Sequence, residues 1–533
     1  MKNYFFNICI IGLAIFASFS TSDTVDELIR RKVEENLPAY NTLNRNDKIF
    51  CTPSVREVYF KNNFKPFWGN TEQVSELISA IEKCDNEGLN PDDYHLSVIL
   101  RLKQNKSAEN DADLDIILTD AFLLYTSHIL SGKTNPLTIK AEWHVLKTDK
   151  NPVKYLYEIN SKGINKILSE IKPQNKNYNY LISALKVYRD IEKNGGWKRV
   201  DKGKVIKLGM SDKRIAKIRQ RLRITNDYTV NDPTDIDSYD DTLKLAVVNF
   251  QKRHGLEALG NIGDQTIEKL NIPVMEKIKS IVVNLERLRW LPLEDPRYYL
   301  LVNIANFELD VIENNKVVRH HKVIVGKPFR KTPVFSATMQ YIVFNPTWTV
   351  PPTILKKDLI PEIKKDRSYL VRKNINIYDA KGIKINPDSI DWFSKKPYSY
   401  NYRQEPGKLN ALGAVKFVFP NRFDVYLHDT PGKELFEKTE RAFSSGCIRV
   451  NKPLELAEFL LKDQPSWNQK KIRKIIETTR TKTIILTKKP EVQLLYLTSW
   501  VDDSGQRNFR KDIYKRDEDL YKALTAKPVC DLN

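Results

Sequence analysis

The sequence predicts a multidomain α+β protein, with a helical N-terminal part and a β-rich C-terminal part. Its 533 residues are enough for roughly two to four domains, each with its own core. Apolar residues recur at helical spacing until about residue 273, and the period changes to that of strands from about residue 298. We expect a helical scaffold domain at 23–200, a small three-helix domain at 208–273, a β-rich domain at 297–490 and a C-terminal extension at 491–533.

The first 22 residues have the pattern of a secretory signal. A basic start is followed by a largely apolar run at 4–19 and then by small polar residues at 20–22. The run is short for a membrane span, and cleavage is expected near Ser20 or Ser22. An uncleaved N-terminal membrane anchor stays open. In either case we expect the chain to be exported.

The formal net charge of +20 favours acidic partners, which include nucleic acid, anionic lipid and anionic polymers. The sequence has no zinc-finger spacing and no RNA-binding aromatic motif, so nucleic acid is the weaker of these options. A simpler interpretation is that lysines only solvate the surface. Charge alone does not choose among them.

Two segments of the scaffold region predict strong helices. Residues 71–87 have one apolar helical face and are followed by Gly88, which suits a C-terminal cap. Residues 118–130 form a second apolar segment of helical length. Neither segment carries clustered catalytic side chains, and we interpret this region as a scaffold.

The unit at 208–273 has a short repeating helical pattern of its own. One helical face at 243–255 is apolar, and the segment ends in Phe250-Gln251 followed by His254-Gly255-Leu256. Glycines at 260 and 263 precede a last helix that closes at Leu270-Asn271. The alternative is a plain helical spacer. His254 fits a packing or capping role better than that of a ligand.

Strand patterns begin near residue 298. Residues 299–304 and 317–325 are rich in β-branched and apolar side chains. Asn314-Asn315 lies between two such patterns and predicts a hairpin turn. Further strands are expected at 340–344, 414–419 and 424–428. Residues 352–409 form a long insertion in this domain, and we expect it to act as a lid over a cleft.

The chemistry of the chain is concentrated around His428 and Cys447. A thiol attacks well only as thiolate, so it needs a base or a positive field, and His428 ends a predicted strand where it could supply the base. Gly446 allows a tight turn that exposes the sulfur, and the amides of Gly446 and Cys447 could stabilise an oxyanion. Arg449 has the planar fork that suits a substrate carboxylate.

Each of these residues also has a structural interpretation. A free cysteine is often a small buried apolar residue, His428 could be a core histidine, and Arg449 could close an internal ion pair. Asn451, before Lys452-Pro453, would be a good helix N-cap. Their occurrence together in one window of an exported chain favours the catalytic interpretation.

The five cysteines are Cys9, Cys51, Cys84, Cys447 and Cys530. Cys9 lies within the apolar N-terminal run. Cys51 and Cys84 share the N-terminal region, and export would permit them to pair, so a Cys51–Cys84 disulfide is a hypothesis that the sequence leaves open. Cys447 stands apart in a Ser-Ser-Gly-Cys turn, as a nucleophile would.

The window 428–451 resembles the signature of the L,D-transpeptidase family. That signature is a His, a spacer, Ser/Thr, a variable residue, Gly, Cys, a variable residue, Arg and a nearby Asn, which correspond here to His428, Ser444, Ser445, Gly446, Cys447, Ile448, Arg449 and Asn451. Many members have His where this chain has Ser445, and the long periplasmic members often have Ser. Residues 326–335, 345–351, 409–413 and 427–431 are also similar to those large members. The pattern at 208–273 resembles the three-helix peptidoglycan-binding domain.

The resemblance implies a two-step acyl transfer on peptidoglycan. Cys447 would form a thioester with one peptide stem, and the side-chain amine of a second stem would resolve it into a 3-3 cross-link. His428 would move the proton, oriented by the backbone carbonyl of Asp429. Ser444, Ser445, Tyr426, Trp348, Asn345, Arg449 and Asn451 would bind substrate, and no metal or organic cofactor is implied.

The resemblance further implies a location in the periplasm or cell envelope, contact with stem peptides and glycan strands, and a covalent adduct with carbapenem β-lactams. Two alternatives remain at this level. The chain could be a non-catalytic peptidoglycan-binding protein. It could also use the same site as an L,D-carboxypeptidase or exchange enzyme, because Cys447 and His428 would serve any acceptor.

Overall fold

In the computed structural model, residues 23–43, 47–139, 142–145, 151–293 and 296–530 are described. The predicted signal or membrane anchor at 1–22 lies outside these residues. The N-terminal part is helical and the C-terminal part is β-rich, which confirms the predicted fold class.

Nine helices lie in the N-terminal region of the described chain. Local signals fix several of their starts: Thr24 and Glu27 form a capping box, and the side chain of Ser107 accepts the Asn110 amide at the start of the longest helix. The helices are α1 (Val25–Arg31), α2 (Leu37–Tyr40), α3 (Thr52–Lys61), α4 (Thr71–Glu82), α5 (Leu96–Gln104), α6 (Ala108–Ser131), α7 (Val153–Lys162), α8 (Ile164–Ile171) and α9 (Lys176–Lys193).

Helix α6 is the centre of the helical domain. Among the described residues it is the one helix long and apolar enough to cross a membrane, and 94% of its apolar window is buried inside the protein. Its apolar side chains pack against those of the surrounding helices in one core cluster. The same length and composition are found in core helices.

The remaining helices serve the other domains. They are α10 (Ile215–Ile224), α11 (Asp241–Arg253), α12 (Asp264–Leu270), α13 (Val274–Arg289), α14 (Pro352–Ile354), α15 (Ile360–Lys365), α16 (Ser368–Arg372), α17 (Pro453–Leu460), α18 (Gln469–Glu477) and α19 (Asp517–Thr525). Helices α10 to α12 enclose a small core of their own, as the three-helix prediction requires. His254 lies buried between the rings of Phe250 and Phe509, so it packs.

The strands are β1 (Tyr298–Asn303), β2 (Glu308–Glu313), β3 (Lys316–Gly326), β4 (Phe335–Thr338), β5 (Tyr341–Phe344), β6 (Trp348–Thr349), β7 (Ile375–Tyr378), β8 (Lys384–Ile385), β9 (Asn401–Gln404), β10 (Val415–Val418), β11 (Leu427–His428), β12 (Ala442–Ser444), β13 (Ile448–Val450), β14 (Lys482–Ile485), β15 (Glu491–Leu495), β16 (Ser499–Val501) and β17 (Arg507–Phe509). The hairpin between β2 and β3 turns at Asn314 and Asn315, both with positive φ, as predicted.

The main sheet has the order β14-β5-β10-β11-β13-β3-β2-β1-β15-β4, and β12 pairs with β3. Two strand pairs of this sheet position the candidate site residues. Strand β11 lies antiparallel to β10 and parallel to β13. Strand β15, in the segment predicted as a C-terminal extension, is an inner strand that pairs with β1 and β4. Helices α9 and α13 pack in the same core cluster as this sheet.

The insertion at 352–409 folds as a unit beside the main sheet. Strands β7, β8 and β9 form a separate small sheet with β6, and an apolar cluster that includes Ile363, Trp392 and Tyr402 fills its interior. A π-helical turn, Leu355–Leu359, joins α14 to α15. The insertion therefore has a core that can hold its shape next to the main sheet.

The predicted Cys51–Cys84 disulfide is wrong. Cys51 is bonded to Cys530, 479 residues away in sequence, and Cys84 is free and buried. The prediction paired the two cysteines that lie near each other in sequence, whereas the C-terminal segment returns to the helical domain, where Cys530 packs against its core. The bond ties the last described residue to the helical domain.

Candidate active site

A cleft of about 860 Å³ contains most of the residues that the sequence analysis singled out. His428 and Cys447 both line it. So do six other predicted site residues, which are Trp348, Tyr426, Ser444, Ser445, Gly446 and Arg449. The start of the insertion, at 352–354, forms part of the rim together with Pro351. The fold thus brings together residues that are up to about a hundred positions apart in the chain.

Strand pairing places His428 at the centre of this group. Strand β11 holds it opposite Lys416 of β10 and opposite Arg449 of β13. Its side chain is 5% exposed. Nδ1 lies 2.5 Å from the backbone oxygen of Asp429. Because a carbonyl oxygen can only accept, Nδ1 carries the proton and Nε2 keeps its lone pair. This is the tautomer that a general base requires.

The side chain of Asp429 holds the loop that presents this carbonyl. Its carboxylate accepts the amides of Ala414 and Thr430 and the ammonium of Lys433. A side chain at Gly413 would meet the same carboxylate at 2.4 Å, so the close approach depends on glycine there. The carbonyl that orients His428 is therefore fixed on a rigid loop.

Cys447 follows a turn that only glycine adopts easily. Gly446 has φ +121° and is buried. The hydroxyl of Ser444 donates to the Cys447 carbonyl at 2.5 Å and accepts the Gly446 amide at 3.1 Å. The hydroxyl of Thr332 donates to the Gly446 carbonyl at 2.8 Å. These bonds fix the turn and leave the Cys447 side chain half-buried at the cleft wall.

The same bonds change the expected oxyanion site. The Gly446 amide, predicted as a donor to the oxyanion, is bonded to Ser444 in this structure. The side chain of Tyr426 lies beside Cys447 and opposes the rise that burial causes in the pKa of its thiol, and the thiol donates to the backbone oxygen of Asp424 at 3.6 Å. A phenol beside the sulfur is a donor at the place where an oxyanion would form, so Tyr426 and the Cys447 amide are the better candidates.

Lys416 lies behind Tyr426. Its ammonium is 3.8 Å from the centroid of the Tyr426 ring, a cation–π contact. Burial lowers the pKa of Lys416, and the charge of Cys447 acts in the opposite direction. The ring of Tyr426 also meets that of His428 edge-on at 5.6 Å. Lys416, Tyr426, His428 and Cys447 thus form one contact chain.

The cysteine and histidine are both neutral at rest. Burial raises the pKa of the Cys447 thiol, and hydrogen bonds from Tyr426 and the charge of Lys416 oppose that rise only in part. Burial, followed by the positive charge of Arg449, lowers the pKa of His428 to about 3. The site therefore holds a thiol and an imidazole rather than a thiolate–imidazolium pair.

Arg449 makes no salt bridge with a carboxylate in the described chain, and its Nε is buried without a hydrogen-bond partner there. Burial lowers its pKa. The charge of Glu434 acts on Arg449 without forming a salt bridge, so the guanidinium can still bind an anionic ligand in the cleft. The interpretation of Arg449 as one half of an internal ion pair is not supported.

Ser445 connects the catalytic turn to the insertion through Arg330. The guanidinium of Arg330 donates to the Ser445 hydroxyl at 2.8 Å and binds both oxygens of Asp358, at 2.5 and 2.9 Å. Asp358 belongs to the π-helical turn of the insertion. This three-residue contact, Ser445–Arg330–Asp358, is called the latch below.

Two predicted substrate-binding residues lie outside the cleft. Asn345 is 4% exposed, and its amide donates to the backbone oxygens of Ile475 and Arg480; it ties β5 to the end of α18. The backbone of Asn451 pairs with Lys322 and His321. Asn451 is also not the N-cap of α17, because Lys452 occupies that position. Both asparagines support the fold around the site.

The sequence analysis did not single out several residues that border the cleft. Glu142 and His144 line it, although they belong to the region interpreted as a scaffold. His144 donates its backbone amide to Val334 at 2.7 Å, and Glu142 forms salt bridges with Lys331 and Arg516. This short segment has no helical or strand periodicity that would predict its position. Its place beside the cleft is seen only from its contact with Val334, the residue that precedes β4.

Within the ranges that the structure covers, no group of three or more His, Cys, Asp or Glu side chains could hold a metal ion. The side chains that line the cleft include a thiol, an imidazole, a phenol and a guanidinium.

Three family models match successive parts of the chain. A "Scaffold domain" matches 53–185, a "Putative peptidoglycan binding domain" matches 211–270, and an "L,D-transpeptidase catalytic domain" matches 297–485. The third match contains every residue of the cleft described above except Glu142 and His144. Residues 297–485 are therefore similar to the L,D-transpeptidase catalytic domain family. The three matches also confirm the family resemblance that the sequence motifs indicated.

Individual proteins show the same likeness. A "Putative L,D-transpeptidase" of Haemophilus influenzae is 34% identical over 262 residues, which are 48% of this chain and 53% of the relative. The chain thus spans about half the length of that curated relative. Among solved structures, an L,D-transpeptidase from Stackebrandtia nassauensis is 14% identical. The match covers 56% of this chain and 96% of that chain, with a TM-score of 0.22. Another is an L,D-transpeptidase from Xylanimonas cellulosilytica, with 14% identity, 55% and 99% coverage and a TM-score of 0.18.

Proposed function

We propose that the protein is an exported L,D-transpeptidase that forms 3-3 cross-links between peptidoglycan stems through a thioester at Cys447. One observation carries the proposal. His428 and Cys447 line one cleft, and the Asp429 carbonyl holds Nδ1 of His428 so that Nε2 is free to act as base.

The first step is acylation of the cysteine. Sγ of Cys447 attacks the carbonyl that joins the L-centre of diaminopimelate to the terminal D-alanine of a donor stem. The thiol proton passes to Nε2 of His428, and a C–S bond forms. When the tetrahedral intermediate collapses, the C–N bond breaks and the proton moves from His428 to the departing D-alanine amine. Tyr426 donates to the oxyanion in between.

The second step releases the acyl group to an acceptor. The side-chain amine of diaminopimelate on a second stem attacks the thioester and gives a proton to His428. The C–S bond breaks, and Cys447 regains its proton. No net oxidation occurs, and the products are one amide cross-link and one free D-alanine. A neutral His428 is suited to both steps because it can accept a proton each time.

Arg449 supports the choice of substrate. Stem peptides carry free carboxylates, and Arg449 offers an unpaired guanidinium two residues from the sulfur. A carboxylate bound there would fix the donor carbonyl near Sγ. The insertion at 352–409 would control access, since its first residues border the cleft and the latch holds it to the catalytic turn.

Incubating purified protein with cell-wall sacculi, followed by muropeptide analysis, tests the proposal. The wild-type protein should produce 3-3 cross-linked muropeptides and free D-alanine, and Cys447→Ser should produce neither while folding normally, because its hydroxyl is far less acidic. Cys84→Ser is the matched control, since Cys84 is free but buried away from the cleft. Cross-linking by Cys447→Ser would refute the assignment.

The same assay separates the alternatives. Tripeptide stems without new cross-links would indicate a carboxypeptidase, and incorporation of added D-amino acid would indicate exchange. A thiol probe that fails to label Cys447 would favour a non-catalytic peptidoglycan-binding protein, because a structural buried cysteine is inert.

A carbapenem should acylate the same sulfur. Its strained carbonyl would meet the attack described for the donor stem, and its carboxylate would lie near Arg449. Intact-protein mass spectrometry should show one adduct that is absent from Cys447→Ala and slower to form in Arg449→Ala. His428→Ala should be slower still, because the thiol loses its base. An adduct that persists in Cys447→Ala would show that the chemistry lies elsewhere.

A further inference from the structure

A second cavity, of about 1070 Å³, lies between the three-helix domain and the catalytic domain. One wall is the end of α11 and part of α12. The facing wall is the loop 438–443, which leads directly into Ser444, and a third side is formed by residues 508–513. No residue of this interdomain groove also lines the catalytic cleft. It is therefore a separate surface whose wall continues into the catalytic turn.

The groove concentrates positive charge. Six basic side chains line it, of which only Lys511 has a carboxylate within 4.0 Å in the described chain, namely that of Glu440. The other five are Lys252, Lys269, Lys438, Arg441 and Arg510. Each therefore keeps a charge that no neighbouring carboxylate neutralises directly.

The two arginines are bound by neutral oxygens. Arg441 donates to the backbone carbonyls of Val323, Lys438 and Phe307. Arg510 donates to the side chain of Asn306 and to the carbonyls of Arg253 and Phe509. Neither guanidinium forms a salt bridge in the described chain, although the charge of Glu308 acts on both. The fold thus holds two guanidiniums in fixed positions at the groove.

The acidic side chains of the groove are mostly neutralised already. Glu440 pairs with Lys511, Glu268 with Lys202 at 3.7 Å, and Glu308 with His320 at 3.5 Å. Glu257 is the fourth. The pKa of Lys269 is lowered, first by burial and then by the like charges of Lys511 and Arg510. The negative charges of Glu440 and Glu268 oppose this change only in part. An anion in the groove would relieve this repulsion.

We propose that the interdomain groove binds a carboxylate-bearing peptide stem of peptidoglycan, next to the stem that reacts in the catalytic cleft. The proposal rests on the proposed function, because it takes the polymer from there. One wall belongs to the domain matched by the peptidoglycan-binding family, and the other continues into the catalytic turn. Stems repeat along a glycan strand, so a polymer held in the groove would present a further stem to Cys447.

Isothermal titration with a soluble disaccharide-tetrapeptide tests this binding. The protein carries Cys447→Ala to prevent turnover. The groove variant adds Lys252→Gln, Lys269→Gln and Lys438→Gln, which remove three charges without breaking a salt bridge. The control variant instead adds Lys381→Gln, Lys395→Gln and Lys408→Gln, three exposed lysines of the insertion. Both variants lose the same net charge, and both keep the catalytic cleft.

The groove variant should bind the muropeptide about tenfold more weakly or worse, with a smaller dependence on salt, and the control should change less than about twofold. The disaccharide without its peptide should bind equally weakly to all three proteins. Equal affinities of the groove and control variants would overturn the proposal. A second outcome would also overturn the proposal: the disaccharide without its peptide binds the unaltered groove as tightly as the muropeptide does, and binds the groove variant more weakly. The groove would then recognise the glycan and not the peptide stem.

Turnover by protein with an intact Cys447 separates the two proposals. If the wild-type protein forms no cross-links but the groove variant still loses affinity, the proposed function fails and groove binding stands. If cross-links form but the groove and control variants bind alike, the groove proposal fails and the proposed function stands.

Discussion

Raising the pH should increase the reactivity of Cys447 steadily through neutrality, with no plateau. Burial, aided by the charge of Arg449, lowers the pKa of His428 to about 3, and burial raises the pKa of the thiol. The resting site is therefore a neutral pair. The thiolate fraction should be small at pH 7 and should grow with pH, because the imidazole is already unprotonated and adds no titration step in this range.

The magnitude follows from the histidine. With a pKa of about 3, His428 is protonated in roughly one molecule in 10⁴ at pH 7, whereas an ordinary histidine is protonated in roughly one in four. Placing the thiol proton on His428 before substrate binds thus costs about 5 kcal/mol more than placing it on a free imidazole. Only a bound substrate, whose oxyanion stabilises the transition state, would make that transfer productive.

The assay is the rate of Cys447 alkylation by iodoacetamide between pH 5 and 10. The second-order rate constant should rise about tenfold per pH unit until the thiol titrates. Cys447→Ala is the control, since it leaves Cys84, a buried thiol whose pKa is raised by burial, and should not be labelled. A rate that is constant between pH 5 and 8 would indicate a preformed thiolate–imidazolium pair and would refute the reasoning.

Three further changes test the contacts around the site. Lys416→Met should slow alkylation of Cys447 at pH 7 by about threefold to tenfold, because the thiolate loses a nearby cation. Asp358→Asn removes one partner of Arg330 in the latch, worth about 1 kcal/mol or less, and should increase tryptic cleavage within the insertion. Cys530→Ser should lower the melting temperature, since a bond that closes so long a loop contributes up to about 6 kcal/mol.

Matched measurements decide each of these outcomes. Lys381→Met, far from the cleft, should leave alkylation unchanged, and an equal loss in both lysine variants would remove the role given to Lys416. Asp366→Asn breaks an ion pair inside the insertion, so equal cleavage in both aspartate variants would show that the latch does not restrain it. A reductant should lower the melting temperature of the wild-type protein but not that of Cys530→Ser. Equal melting temperatures without reductant would contradict the stabilising role.

The C-terminal segment supports the active site from behind. The hydroxyl of Tyr514 donates to the Gly326 carbonyl at 2.7 Å and accepts the Thr332 amide at 3.1 Å. Thr332 in turn holds the Gly446 carbonyl. A Cβ atom at position 326 would lie 2.1 Å from the backbone oxygen of Arg330. This close approach of the backbone therefore requires a glycine at position 326. The catalytic turn thus depends on residues almost seventy positions beyond it.

Local patterns in the sequence determined a large part of the fold. The helical spacing in the N-terminal half, the change to strand periodicity near residue 298 and the Asn314-Asn315 turn follow from nearest-neighbour geometry, which a linear sequence records. The window around Cys447 is equally local: a glycine, a cysteine and an arginine within four positions. It was enough to indicate the family resemblance and to predict His428 as the partner base.

The tertiary structure alone decided which distant residues meet. Pairing of β10, β11 and β13 puts Lys416 beside His428 and Arg449, and the return of the chain end brings Cys530 to Cys51. Asn345 has the residue type of a ligand-binding side chain but faces two backbone carbonyls. Such contacts depend on the path of the whole chain, because strand order and domain packing are set by burial summed over many residues and not by any short pattern.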